Sequence, residues 1–190
     1  HTLSILGPTG SGKNAFINDI EIVANRDTVT GRQILGNVKL PPERYVRDPA
    51  AKPVALITQN TRCLCDLSVS DFLRMHLLSR GYMKESCIQE TINLANQFTG
   101  EPITAHVRMT SLSGGQTRSL MVADAILISN TPIILLDEVE NAGIFKETVI
   151  EVLRHHHKAM LFVTHDPLVS LLSDRRIVMQ DGAVSRVIEP

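Results

Sequence analysis

A chain of 190 residues, 43% of them hydrophobic, is long enough for one domain with a full core. Its net charge of −1 and its 21% of charged residues remove the electrostatic case for nucleic acid binding. No apolar run approaches the roughly 20 residues that span a bilayer, and no signal peptide is visible.

The three cysteines, Cys63, Cys65 and Cys87, lack zinc-like spacing and read as free thiols in a reducing compartment. A redox or metal role for Cys63-x-Cys65, or a metal role for the His155-His156-His157 run, is the minor reading. A polar helix end accounts for the histidines.

Residues 3–6 predict a strand, and residues 15–24 a helix. Between them lies Gly7-Pro8-Thr9-Gly10-Ser11-Gly12-Lys13-Asn14. Strand, glycine-rich loop and helix in that order make a phosphate-binding loop. The glycines admit positive φ and close approach to an anion, and the loop N–H groups and helix N-terminus supply partial positive charge. Lys13 can reach the β- and γ-phosphates. The next position of the pattern asks for a hydroxyl on Mg²⁺, and here it is Asn14, a bulkier oxygen ligand. Because the chain starts at His1 directly on a strand, the native N-terminus is expected further upstream.

Residues 27–31 form a turn cluster, 32–40 a weak strand candidate broken at Gly36, and 40–53, with four prolines, a surface loop. Residues 54–58 are an apolar strand ending at Gln59. Ser68-x-x-Asp71 and Ser86-x-x-Gln89 have capping-box spacing. Behind them Phe72, Leu73, Met75, Leu77 and Leu78, then Ile88, Ile92, Ala95 and Phe98 on one face, predict helices, with the methionines and phenylalanines in the core. Residues 68–110 therefore read as a helical insertion. Ser111 to Gln116 opens a helix over 117–128. Strands follow at 133–136, with Asp137-Glu138 at the end, and at 160–163, ending in Thr164-His165-Asp166. Helices are expected at 144–157 and 168–172, and final strands at 176–179 and 184–188. The fold class is α/β: a P-loop nucleotide-triphosphatase fold with a mostly parallel, helix-flanked sheet and ligands at the strand ends.

Beside a phosphate loop, Asp137 is placed to hold Mg²⁺ and Glu138 to polarise a water. Leu112-Ser113-Gly114-Gly115-Gln116 adds a serine hydroxyl and two glycines at a helix start, a second anion site in the same chain. That run matches the signature motif of the ATP-binding cassette (ABC) ATPases, which the whole chain resembles through Gly7–Lys13, Gln59, Leu112–Gln116, residues 133–138 and His165 in order.

The resemblance implies a RecA-like core over about 1–67 and 117–190 and a helical subdomain over about 68–116, with the usual N-terminal antiparallel strands missing. It implies nucleotide binding by Gly7, Pro8, Thr9, Gly10, Ser11, Gly12, Lys13, Asn14, Ala15, Gln59 and Asp137. Asn14, Gln59 and Asp137 would serve Mg²⁺. Glu138 would be the catalytic base, His165 the switch histidine and Lys13 a transition-state charge. Leu112, Ser113, Gly114, Gly115 and Gln116 would grip the ATP of an opposite protomer. The cofactors are then ATP and Mg²⁺, and the partner a second cassette, identical or different.

A separate transmembrane subunit would dock near 59–81, where Leu64, Leu67, Val69 and Phe72 are candidates, with the chain peripheral on the cytoplasmic face. Two other functions stay open. One is a soluble ATPase acting on a macromolecular or cofactor-assembly complex. The other is a regulatory subunit that dimerises on ATP and turns over poorly.

Several residues depart from the family pattern. Besides Asn14, the run Val139-Glu140-Asn141-Ala142-Gly143 replaces the usual residues after the acidic pair. Thr117-Arg118-Ser119 follows the signature, and Asp124 stands where such helices often carry arginine. The adenine-stacking aromatic is unassigned, since Tyr45 and Tyr82 are not in the expected place.

Overall fold

The computed structural model describes residues 1–36, 38–81, 84–138, 143–165 and 167–189. Its centre is a six-stranded sheet in the order β2-β3-β4-β1-β5-β6, built from β1 (Thr2–Leu6), β2 (Val54–Thr58), β3 (Ile133–Asp137), β4 (Ala159–Val163), β5 (Arg175–Gln180) and β6 (Ala183–Ile188). The first five are mutually parallel, and β6 closes the edge as the antiparallel arm of a hairpin. The helices are α1 (Lys13–Glu21), α2 (Arg44–Arg47), α3 (Val69–Ser79), α4 (Ser86–Gln97), α5 (Gly114–Leu127), α6 (Lys146–His155) and α7 (Pro167–Leu171).

Alternation along the strands divides the core in two. Ile134 and Leu136 of β3 join Met160 and Phe162 of β4 in a cluster with Val69, Leu73, Ile92 and Leu120 from α3, α4 and α5, and with Phe98 just after α4. Leu135, one residue out of phase, faces the other way with Ile5, Val54 and Val163, and α1 covers them through Ile17. The 68–116 helices thus share a core with one face of the sheet.

The register aligns the strand ends. Thr58 lies opposite Asp137, Asp137 opposite Val163, and Val163 opposite Ile5. Gln59, Glu138, Thr164 and Gly7 therefore leave the sheet at one edge, where a doubly wound fold places ligands.

Several local expectations are corrected. Among the described residues, 32–40 form no strand, only the isolated bridges Asn25–Gln33 and Gly36–Lys39. The first helix starts at Lys13 and ends at Glu21, earlier at both ends than expected, and Val23 beyond it has φ of 56°. The Ser68 cap forms as expected, accepting from Asp71 N at 3.1 Å. The Ser86 cap does not: Ser86 is already helical, and Glu85 occupies the cap without a side-chain bond. Met75, expected in the core, is 53% exposed, as is Leu78, whereas Leu73 and Leu77 on the opposite face are buried. The helix expected over 144–157 is confined to 146–155. Among the described residues no helix is long and apolar enough to cross a membrane.

Candidate functional site

The glycine-rich loop leaves β1 and turns into α1 with Gly7, Gly10 and Gly12 at φ of 151°, 82° and 90°, where a side chain is strained. Its back wall is the β5–β6 hairpin. A Cβ on Gly7 would meet Met179 O at 2.5 Å, and one on Gly12 would meet Gly182 Cα at 3.0 Å. Gly182 N also donates to Ser11 O at 3.1 Å. The loop is thus pressed onto the hairpin from behind, while Pro8, Thr9, Gly10 and Asn14 face solvent.

Lys13 is buried, and its Nζ donates to Gly7 O at 2.7 Å and Pro8 O at 2.9 Å. Ser11 Oγ is buried and has no hydrogen-bond partner among the described residues. The first N–H groups of α1, at Lys13, Asn14 and Ala15, have no acceptor within the helix. A folded-back ammonium, an orphaned hydroxyl and a row of free amides suit an anion with several oxygens.

Thr9, Gly10, Gly12, Lys13, Asn14 and Ala15 line a cleft of about 330 Å³ together with Glu138 and His165. Glu138 follows β3 with φ of 50°, left-handed for a non-glycine residue, and its N–H donates to Val163 O at 3.0 Å. Such a conformation is costly and tends to mark functional positions. Glu138 Oε1 lies 3.4 Å from His165 Nε2 at the end of β4. Asp137, half-buried, closes β3 beside them.

The signature residues belong elsewhere. Ser113 caps α5, its Oγ accepting from Gln116 N at 3.2 Å while Gln116 Oε1 accepts from Ser113 N at 2.9 Å, a complete capping box. The helix consequently starts at Gly114, three residues before the expected start. Leu112 and Gly114 line a second cleft, of about 540 Å³, with Gln59, Arg62, Cys63 and Arg118. Gln59 therefore lines the cleft on the signature face.

Arg118, noted in sequence only as a departure, is buried and donates through Nη1 to Gln59 O, tying the end of β2 to α5. It also fills the space beside Gly114, where a Cβ would fall 2.9 Å from Nη2. Glu101 accepts from Ser113 Oγ at 2.6 Å, a contact that no motif announces. Val69, a docking candidate, is fully buried, which removes it from any surface. Leu64 is 90% exposed, and Leu67 and Phe72 are half-buried. Residues 139–142 and Tyr82 lie outside the described residues. Among the described residues no group of three or more His, Cys, Asp and Glu is arranged to hold a metal. Cys63 and Cys65 are free thiols with Sγ atoms 3.1 Å apart.

Comparison with known proteins agrees with this geometry. A family model described as ABC transporter matches residues 1–141. The chain is 48% identical over 187 residues to an ABC transporter ATP-binding protein of Methanocaldococcus jannaschii, itself uncharacterized, covering 98% of this chain and 72% of the relative. A maltose/maltodextrin import ATP-binding protein of Photorhabdus laumondii is 27% identical over 97% of the chain, which spans only 50% of that protein's length. Among solved structures, a dimeric bacterial ABC transporter cassette aligns with a TM-score of 0.76 and 26% identity, over 99% of this chain and 84% of that one. With its strand ends, phosphate loop and signature helix so arranged, this chain belongs to the ATP-binding cassette family of ABC transporters.

Proposed function

We propose that the chain is an ATP-hydrolysing cassette that dimerises around two ATP molecules and powers a membrane transporter formed by another chain. The observation that carries the reading is the separation of its two anion sites. The phosphate loop shares a cleft with Glu138 and His165, while Leu112 and Gly114 face a different cleft with Gln59. A signature that does not face its own phosphate loop is suited to serve a nucleotide held by a second copy. The alignment with a dimeric cassette supports this.

In this reading the loop residues 7–15 hold the phosphates through backbone N–H groups, and Lys13 exchanges the carbonyls of Gly7 and Pro8 for phosphate oxygens. Asn14 and Asp137 offer the oxygen donors that Mg²⁺ prefers, with Gln59 reaching in from the neighbouring cleft. When bound, the ion neutralises charge on the β- and γ-phosphates. Glu138 orients the attacking water, and His165, within 3.4 Å, holds the carboxylate and contacts the transferred group. Ser113, Gly114, Gly115 and Gln116 close on the partner's nucleotide with their helix N-terminus. The core over about 1–67 and 117–190 then carries the phosphate loop, and the helical part over about 68–116 carries the signature. The exposed Leu64, Met75 and Leu78, with Phe72 beside them, form the docking surface.

Asn14 favours a second reading, a slow or regulatory cassette, because its amide replaces the hydroxyl on the metal. Mg-ATP hydrolysis and light scattering on the parent, Glu138→Gln and Asn14→Ser test both. The motor reading expects turnover in the parent, loss of it in Glu138→Gln, and an ATP-dependent dimer retained there. A silent parent that gains activity in Asn14→Ser overturns it in favour of the regulatory one.

A further inference from the structure

We propose that Glu101 is a carboxylate gate on the signature phosphate site, setting the nucleotide concentration at which two copies close; this rests on the dimer reading above. A serine hydroxyl has one proton to give. Here Ser113 Oγ spends it on Glu101 Oε2 at 2.6 Å, while its lone pair caps Gln116 N at 3.2 Å. For Ser113 to donate to a phosphate oxygen instead, it must release the carboxylate. A carboxylate left beside a phosphate then repels it.

Glu101 does not arrive there by chance of a loose loop. Its own N–H donates to Thr99 Oγ1 at 3.3 Å, and Pro102 O next to it accepts from Gln116 Nε2 at 3.0 Å. Before the turn, Phe98 O accepts from Phe145 N at 2.8 Å, and Thr99 bridges Ile144. The turn is therefore fastened on one side to the signature helix and on the other to residues 144–145. The latter lie a few positions after Asp137 and Glu138.

Glu101 is exposed and can swing into water, so its effect per site is modest, about threefold, in line with solvent-screened pairs. A closed dimer contains two such sites, so its closure constant changes about tenfold, and because closure takes up two ATP the half-maximal ATP concentration moves by the square root, about threefold. The test uses the Glu138→Gln chain, which is expected to retain ATP without turnover. Light scattering gives the ATP concentration at half-maximal dimerisation for Glu101, Glu101→Gln and Glu101→Asp. Glutamine keeps an acceptor for Ser113 and removes only the charge.

The gate expects Glu101→Gln to dimerise at about threefold lower ATP, the difference shrinking at high salt. Glu101→Asp stays within about twofold of the parent, and the thermal midpoint is unchanged in all three. An unchanged or raised ATP requirement in Glu101→Gln, with a dimerising parent, overturns the gate alone. A parent that stays monomeric at every ATP concentration overturns the dimer reading and the gate with it.

Discussion

His165 Nε2 and Glu138 Oε1 lie 3.4 Å apart although 27 positions separate them in sequence, because β3 and β4 are parallel neighbours with Asp137 opposite Val163. In the proposed hydrolysis that proximity would make the pair act as a unit. Glu138→Gln and His165→Ala are each expected to lower kcat by about 100-fold or more. The double variant should be no slower than the slower single, because each change disables the same step. Steady-state hydrolysis of the four proteins checks this, and multiplicative losses would show independent roles.

The loop's contact with the hairpin makes a prediction about stability. Gly12→Ala forces a side chain into φ of 90° and against Gly182 Cα, and Gly7→Ala meets the Met179 carbonyl. Each should cost about 1–3 kcal/mol, or roughly 3–10 °C in Tm for a chain of this size. Gly10→Ala has the strained φ of 82° but nothing within 4 Å, so its loss should be the smallest of the three. Differential scanning calorimetry orders them.

These relationships divide into what the sequence carries and what only packing creates. Residues 133–136 announce a buried strand by four consecutive aliphatics, and the parallel register then delivers Asp137 and Glu138 to the edge that holds Gly7. The motifs name those residues because each depends on local chemistry at a strand end. Residues 32–40 misled because Ile34, Leu35 and Val38 have strand character, yet they pair only in isolated bridges and join neither edge of the sheet. Arg118 and Glu101 were illegible for another reason. Arg118 acts on Gln59 across 59 positions, and Glu101 on Ser113 across 12. Nothing in their immediate sequence encodes either partner.

Asp124 illustrates the same point and yields a third prediction. Buried on α5, it stands 2.8 Å from His76 Nδ1 on α3. Arg80 Nε approaches His76 Nε2 at 3.4 Å, so the tautomer with hydrogen on Nδ1 satisfies both contacts. The departure from arginine at 124 is thus matched by a basic pair on α3. Asp124→Arg, which restores the residue common in the family, should destabilise by about 2–4 kcal/mol through a buried, unpaired charge. Asp124→Asn, which keeps an acceptor, should cost about 1 kcal/mol. Urea denaturation checks the order; equal losses would mean that volume, not charge, decides.

The last prediction concerns acid. Asp19 on α1 is only 3% exposed. Burial pushes its carboxyl up, but hydrogen bonds from Arg32, Thr30 and Thr28 and the Arg32 charge outweigh this and hold it below its ordinary value. Arg32 makes the 2.8 Å pair with Asp19, reaches Gly182 O and lies over the Phe16 ring, so it fastens α1 to the hairpin behind the phosphate loop. A carboxyl whose folded pKa is depressed stabilises the fold above its unfolded pKa of about 3.9, and that contribution is lost as pH falls through the folded value. Asp19→Asn should therefore lower Tm at pH 7, by the equivalent of about 1–3 kcal/mol. The gap from the parent should close as pH drops below about 4. Because Arg32 also holds Gly182, which donates to Ser11 O, the variant should weaken nucleotide binding at pH 7 as well as stability. A gap in Tm that stays constant down to pH 3 would mean that Asp19 contributes through packing and not through its charge.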